Sequence, residues 1–209
     1  MKRHFFTLIF VLTTMLTFAQ TSEHLSFKNV PIDGTLDEYV AKMKQSGFTM
    51  RSAENSGLLF RSSTMHSTEN GVAILKGDFA AYKNCIVSVV TLKGKDLVSK
   101  VTVTFPSKDT WSGLSGIYFD LKQMLTEKYG KPSDVVEKFD VPSYSQPKDD
   151  NDKIFEVKMN RCEYYTIFET AKGSIRLTIM PVDMECYVTL AYIDKINSEI
   201  IRAKAIDDL

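Results

Sequence analysis

The chain has 209 residues, and its 26 lysines and arginines balance its 26 aspartates and glutamates, so the formal net charge at pH 7 is zero. With no net positive charge and no basic patch, the sequence lacks the electrostatic signature of a protein that binds nucleic acid. Hydrophobic residues make up 44% of the chain and charged residues 25%, which is typical of a globular protein with a sizeable core.

Residues 1–19 are predicted to be a secretory signal peptide. Lys2 and Arg3 form a short basic start, and a hydrophobic stretch follows from Phe5 to Phe18. This stretch is shorter than the roughly 20 apolar residues that span a bilayer, and cleavage near Ala19 is expected. A retained N-terminal anchor is the alternative. No second stretch of spanning length follows, so we expect a soluble protein in the periplasm or outside the cell, with no transmembrane segment after cleavage.

The first predicted helix runs from Thr35 to Ser46. Thr35 and Glu38 form a capping-box pattern, apolar residues then recur at helical spacing, and Gly47 suits the left-handed residue that ends a helix. Four strands are predicted after it. The last of them alternates cleanly, which leaves one face buried and one exposed. Their ranges are Leu58–Ser62, Gly71–Tyr82, Cys85–Leu92 and Leu97–Phe105.

A second helix is predicted from Thr110 to Tyr129, because apolar residues recur at helical spacing until Gly130 and Pro132 end the pattern. Gly113 and Gly116 lie in its first turns. Each weakens the helix by about 1 kcal/mol relative to alanine. The pair would let this helix approach a sheet closely.

The segment from Lys138 to Asp152 contains two prolines and an acidic cluster, and it is predicted to be a mobile loop or linker. Four more strands and a final helix are predicted after it. The strands cover Ile154–Asn160, Glu163–Ala171, Ser174–Pro181 and Cys186–Ile193, and the helix covers Asp194–Ala205.

The order of these elements predicts an α+β protein that repeats one plan. A helix and a four-stranded antiparallel meander occupy residues 25–108, and the same plan with an added C-terminal helix occupies residues 109–209. The two sheets either join edge to edge or remain in adjacent lobes. Alternation within the strands does not decide between these arrangements.

Cys85, Cys162 and Cys186 all lie in or beside predicted strands. An oxidising compartment permits a disulfide, but the number of cysteines is odd. Buried free thiols that pack as small hydrophobic groups are the favoured interpretation. If a bridge forms, Cys162–Cys186 is the candidate, and it requires Cα atoms within about 7 Å.

No motif predicts a catalytic site, a metal site or a cofactor. Ser115 stands one residue short of a nucleophile-elbow pattern and inside a helix. His24 and His66, the histidines left after cleavage, both look solvated, and no zinc-site spacing includes them. The acidic residues at 149–152 are calcium-ligand types, but a solvated loop is favoured there.

Aromatic residues are the most suggestive side chains. Five of them are candidate binding residues: Trp111, Tyr144, Tyr164, Tyr165 and Phe168. In the strand that holds the last three, Tyr164 and Phe168 share one face and Tyr165 lies on the other. These rings either fill the contact between the two halves, which is favoured, or form an exposed recognition patch.

Three motifs carry a resemblance. They are Phe27-x-x-Val-Pro-Ile-Asp-Gly34, Trp111-x-x-Leu-x-x-x-Tyr118 leading to Lys-Tyr-Gly-Lys-Pro132, and Tyr192-x-Asp194-x-x-Asn197. On these residues the chain resembles small exported proteins of Bacteroidetes with no assigned activity. Its repeated plan is similar to the tandem fold of β-lactamase inhibitory protein, whose sheet presents a concave binding face. The resemblance implies a binding surface and carries over no catalytic or inhibitory residue.

These observations favour an exported, non-catalytic binding module of the cell envelope. A sheet face or the 138–152 segment would contact a protein or envelope ligand. One alternative is an envelope hydrolase that uses Glu156, Glu163 or Glu169, since glycoside chemistry needs paired carboxylates about 5 to 9.5 Å apart. Another is a structural or assembly role through an exposed sheet edge.

Overall fold

The computed structural model describes residues 23–51, 71–92 and 95–207. The predicted signal peptide, the predicted strand Leu58–Ser62 and His66 lie outside the described residues. The described elements are β1 (Ser26–Phe27), β2 (Val30–Pro31), α1 (Leu36–Gln45), β3 (Thr49–Met50), β4 (Val72–Phe79), β5 (Tyr82–Thr91), β6 (Val98–Thr104), α2 (Trp111–Tyr129), β7 (Asp134–Phe139), α3 (Asp150–Lys158), β8 (Cys162–Thr170), β9 (Gly173–Val182), β10 (Glu185–Asp194) and α4 (Lys195–Asp207).

The sheet topology confirms the α+β class. Eight strands form one antiparallel sheet in the order β3-β4-β5-β6-β10-β9-β8-β7, and β1 and β2 form a separate small hairpin. The strands before and after α2 meet where β6 pairs with β10, from Thr104 opposite Thr189 to Lys100 opposite Ile193. The choice between one joined sheet and two lobes, which the sequence left open, is therefore decided for one sheet.

Helices and the N-terminal hairpin cover one face of this sheet. The Tyr118 hydroxyl of α2 shares a buried 2.6 Å hydrogen bond with Thr166 Oγ1 of β8. On the other side of the sheet's centre, the Phe27 ring lies 5.4 Å from the ring of Tyr192 in β10. These contacts belong to one continuous cluster of buried side chains, so the core lies between the helices and this face.

Helices α1 and α2 begin and end within one residue of the bounds predicted from the sequence. Thr35 and Glu38 make the reciprocal hydrogen bonds of a capping box at the start of α1. The Thr110 side chain accepts a hydrogen bond from the Gly113 N–H at the start of α2. Gly130 ends α2 with φ of 85°, a conformation that favours glycine. Gly116 is exposed on α2, so it does not serve a close approach to the sheet.

The prediction for residues 138–160 is wrong in two places. Ile154–Asn160 is not a strand, because α3 occupies Asp150–Lys158. The fourth strand of the second half of the chain is instead β7 at Asp134–Phe139. The segment predicted as a loop holds the end of β7, a 3-10 turn and the start of α3. The Asp149 side chain caps α3, and Ile154 and Val157 are buried three residues apart, a spacing that a helix brings to one face.

Within the ranges that the structure describes, no helix combines the length and the hydrophobicity needed to cross a bilayer.

Candidate functional site: the open face of the sheet

Alternation in the central strands makes the two faces of the sheet chemically different. In β6, Val101 and Val103 are fully buried on the covered face, while Lys100 and Thr102 are partly exposed on the other side. The open face is our name for the side of the central strands that none of the described helices covers. Its residues include Lys100, Thr102, Thr104, Tyr165, Arg176, Thr178, Met180, Val182, Tyr187, Thr189 and Ala191.

A cavity of about 310 Å³ lies on the open face, across β6, β10 and β9. Lys100 and Arg176 line it at one end, and Met180, Val182 and Tyr187 line it at the other. This volume is at the lower limit of typical ligand pockets, which suits a few side chains of a larger ligand.

Threonines form the middle of this cavity. Thr104, Thr189 and Thr178 lie opposite one another on three adjacent strands, and Thr102 lies one step along β6. Cross-strand neighbours on one face have Cβ atoms roughly 4.5–5.5 Å apart, so these hydroxyls form a row. Each hydroxyl both donates and accepts hydrogen bonds, which gives the middle of the cavity the chemistry to bind polar backbone groups.

At the cationic end, Arg176 is held by its neighbours. Its guanidinium lies 4.8 Å from the centroid of the Tyr165 ring, a cation–π contact. The Tyr165 hydroxyl donates a 3.1 Å hydrogen bond to the Asp134 carboxylate on β7. Partial desolvation raises the pKa of Tyr165, and this hydrogen bond adds to the shift. The hydrogen bond to Asp134 holds the Tyr165 ring in place under Arg176.

At the apolar end, Tyr187 is buried and its hydroxyl donates to the Glu185 carboxylate. Burial raises the pKa of Tyr187, with a further contribution from Glu185. Met180 is 38% exposed, and its sulfur lies 3.8 Å from the Thr189 hydroxyl. The end of the cavity away from Arg176 is thus lined by apolar and aromatic side chains, with the charged groups of Glu185 and Arg51 near the Tyr187 hydroxyl.

The structure separates the five aromatic residues that the sequence grouped. Tyr165 alone lies on the open face, whereas Tyr144 is 90% exposed in the turn between β7 and α3. Trp111 packs between α2 and the sheet, with its ring 5.0 Å from that of Tyr164. Phe168 is buried against Tyr129 of α2. Trp111 and Phe168 are buried in the core beneath α2 and Tyr164 is partly buried against it, so these three rings do not form an exposed recognition patch.

Sequence reasoning missed the threonines, Lys100 and Arg176 as site residues. The alternation in β6 did indicate that Lys100, Thr102 and Thr104 face away from the core. That signal does not reveal which strands lie beside β6. Only the pairing of β6 with β10, and of β10 with β9, brings Arg176 to the same surface.

The cysteines are free thiols, and the candidate bridge Cys162–Cys186 is absent. The two residues lie on β8 and β10, with β9 between them. Two strand spacings are roughly 9.5 Å, beyond the reach of a disulfide. Burial raises the pKa of Cys162 to about 12, so this thiol is not a nucleophile at neutral pH.

Of the carboxylates considered for hydrolysis, Glu163 and Glu169 are too far apart to act as a pair, and Glu156 is bound to an arginine. Glu156 lies on α3 and binds Arg161 through two hydrogen bonds of 2.6 and 3.1 Å. Glu163 and Glu169 are six residues apart on β8, or roughly 20 Å along the strand. That separation is well beyond the 5 to 9.5 Å of glycoside chemistry. Ser115 is buried inside α2, where no strand-to-helix turn presents it.

A second polar cluster ties the N-terminal segment to the end of the sheet. Asp194 is fully buried and accepts hydrogen bonds from the backbone N–H groups of Leu25 and Asn197, at 2.8 and 2.9 Å. Its Oδ1 also lies 3.0 Å from Nδ1 of His24, so His24 is not the solvated side chain that the sequence indicated. The Asn197 amide donates to the carbonyls of Ile32 and Val98. The donors and acceptors of this cluster are satisfied by one another, so its role is structural: it holds the N-terminal segment against the end of the sheet.

Among residues 23–51, 71–92 and 95–207, no three His, Cys, Asp or Glu side chains are grouped as metal ligands. Compared with known proteins, the chain matches no family model, no curated protein and no solved structure. Cavities of about 310 and 320 Å³ occur among the described residues, and the one on the open face is the feature from which we infer a function.

Proposed function

We propose that this protein is an exported, non-catalytic binding module of the cell envelope, and that the open face is its binding surface. The observation that carries this proposal is the asymmetry of the sheet. Helices cover one face, whereas the other keeps a cavity of about 310 Å³ between a cationic end and an apolar end. Convergent polar groups beside apolar surface are the usual composition of a binding site.

The residues that line the cavity favour binding over catalysis. They include no His, Cys, Asp or Glu side chain, the groups that most often act as general bases or nucleophiles. Threonine hydroxyls without an adjacent base are weak nucleophiles but good hydrogen-bonding groups.

We propose further that residues 25–108 and 109–209 are related as a tandem repeat, each a helix followed by four antiparallel strands, with α3 inserted between β7 and β8 in the second repeat. The strand order supports this proposal, since consecutive strands neighbour one another on both sides of the β6–β10 pair. On this view the open face is assembled from both repeats. The proposed similarity between this repeated plan and the plan of β-lactamase inhibitory protein concerns topology alone.

Export is tested by expressing the full chain with a C-terminal tag in a Gram-negative host. The expected result is tagged protein in the periplasmic fraction or the medium, with a new N-terminus near residue 20 by mass spectrometry. Tagged protein that stays in the cytoplasm with Met1 intact would contradict the export proposal.

Binding is tested by capture from envelope extract with the wild-type protein and two tryptophan variants. Thr178→Trp fills the cavity on the open face, and Gln123→Trp adds the same side chain to the exposed surface of α2. We expect Thr178→Trp to lose the captured partner and Gln123→Trp to keep it, with both variants folded by circular dichroism. Equal capture by the two variants would reject the open face as the binding surface.

A further inference from the structure

We infer that the open face binds an extended segment of another protein, one that carries a carboxylate side chain four to six residues from a large apolar side chain. This inference rests on the proposed binding function and specifies its ligand. It follows from three properties of the cavity: a cationic end, an apolar end at a fixed distance, and a hydroxyl-lined middle.

The cationic end is set up to receive an anion. Lys100 and Arg176 project from β6 and β9, on either side of β10, and no carboxylate side chain lines the cavity with them. Stacking on Tyr165 restricts the Arg176 guanidinium before any ligand arrives. A restrained guanidinium that binds a carboxylate through two parallel hydrogen bonds loses less conformational entropy than a mobile one.

The distance between the two ends corresponds to a short stretch of extended chain. Met180 lies four residues from Arg176 on β9, which is roughly 13 Å. Along β10, Tyr187 lies six residues from Ile193, a distance of roughly 20 Å. Ile193 is the neighbour of Lys100 across the β6–β10 pair. An extended peptide covers about 3.3 to 3.6 Å per residue, so four to six residues connect the ends.

The middle of the cavity decides between a peptide and an acyl chain. A fatty acid also has an anionic end and an apolar end. However, Thr102, Thr104, Thr178 and Thr189 would lose hydration beneath an acyl chain without gaining hydrogen bonds. A peptide backbone offers N–H and C=O groups to the same hydroxyls, so the threonines favour a protein segment.

The test uses synthetic peptides in which Glu and Phe are separated by three, four or five Ser or Thr residues, in both orders. Binding to the mature protein is measured by fluorescence anisotropy. We expect at least one spacing to bind with a Kd below about 1 mM. Replacing Glu by Gln in that peptide, or Phe by Ser, should weaken binding by about tenfold.

Protein variants locate the peptide. Arg176→Gln and Lys100→Gln should each weaken binding of the Glu peptide by about tenfold. Lys44→Gln, the same change of charge on the exposed surface of α1, should leave it unchanged. Binding that is equally strong after Arg176→Gln, or for a peptide with Lys in place of Glu, would overturn the inference. So would binding of dodecanoate at this face when none of the peptides binds.

Failure of this inference can be distinguished from failure of the proposed function. If Thr178→Trp abolishes capture from envelope extract but Arg176→Gln does not, the open face is the binding surface and the carboxylate assignment is wrong. If Thr178→Trp leaves capture unchanged, the proposed function itself fails.

Discussion

Tyr39 and Tyr118 are both fully buried, and burial raises the pKa of each. Their hydroxyls differ. The Tyr118 hydroxyl shares a 2.6 Å hydrogen bond with Thr166, whereas the Tyr39 hydroxyl has no hydrogen-bond partner among the described residues. A buried hydroxyl without a partner loses hydration without compensation, so the same chemical group stabilises the fold at one position and not at the other.

We therefore expect opposite results from one substitution at the two positions. Tyr39→Phe should leave the free energy of unfolding unchanged or raise it by up to about 1 kcal/mol, because it removes an unpaired polar atom. Tyr118→Phe should lower it by about 1 to 3 kcal/mol, because it leaves the buried Thr166 hydroxyl unpaired. Urea denaturation followed by circular dichroism measures both values. A loss of more than 1 kcal/mol in Tyr39→Phe would show that its hydroxyl is bonded after all.

At the scale of elements, the acidic residues at 149–152 act as helix caps, not as a solvated loop. Asp149 caps its own helix, α3, by accepting from the Asp152 N–H at 2.9 Å. Asp150 accepts from the first two N–H groups of α2, those of Trp111 and Ser112, at 3.0 and 2.6 Å. A carboxylate near a helix N-terminus is stabilising because it meets unpaired N–H groups and the positive end of the helix dipole. The sequence contained these residues, but α2, the helix that Asp150 caps, lies far from it in the chain.

Asp150→Ala should therefore lower the free energy of unfolding by about 1 to 2 kcal/mol, a loss typical of a missing cap. The matched control is Asn151→Ala, at the next position on α3, where the side chain is exposed. That change should alter stability by less than about 0.5 kcal/mol. Both are measured by urea denaturation. Equal midpoints for the two variants would mean that Asp150 does not anchor α2 to α3.

Two glycines test where the core is closely packed. A Cβ added at Gly77 of β4 would lie 2.4 Å from a ring carbon of the buried Phe48, whereas one added at Gly116 meets nothing within 4 Å. We expect Gly77→Ala to destabilise the protein by about 1 to 3 kcal/mol through overpacking. Gly116→Ala should stabilise it by about 1 kcal/mol through helix propensity. Thermal denaturation of both variants gives the signs, and a stabilising Gly77→Ala would contradict the contact with Phe48.

At the scale of the whole molecule, buried thiols and phenols make stability depend on alkaline pH. Burial raises the pKa of Cys85 to about 11 and of Cys162 to about 12, and it also raises the pKa of Tyr118 and Tyr192. In each case the folded state keeps a proton that the unfolded state releases near pH 9 or 10. The unfolded state therefore binds fewer protons in this range, and the free energy of unfolding must fall as the pH rises.

We expect the urea midpoint to be constant up to about pH 9 and then to fall steadily between about pH 9 and 12. Each fully buried group contributes up to about 1.4 kcal/mol per pH unit while only the unfolded state is ionised. Denaturation at pH 7, 9, 10 and 11 measures the slope, and Tyr118→Phe should make it shallower. A midpoint that stays constant to pH 11 would contradict the burial of these groups.

The sequence by itself determined the elements whose signals are local. The capping box of Thr35 and Glu38 placed α1, and Thr110 and Gly130 bounded α2. Alternation placed the central strands and indicated that one face of β6 is exposed. These signals work because capping and periodicity depend on side chains within a few positions of one another. The same kind of signal failed at α3 and β7, where the short helix and the exposed edge strand carry weak patterns.

Only the tertiary structure decided that the two sets of strands form one sheet, and hence that an open face exists. That outcome depends on hydrogen bonds between β6 and β10, whose residues are distant in sequence. The same long-range packing placed Trp111 and Phe168 in the core, packed Tyr164 against it, and left Arg176 beside the threonines. The residues within two distant strands do not indicate that these strands pair, because the alternation of one amphipathic strand is compatible with many partner strands. For this reason the proposed binding surface could not be identified from the sequence alone.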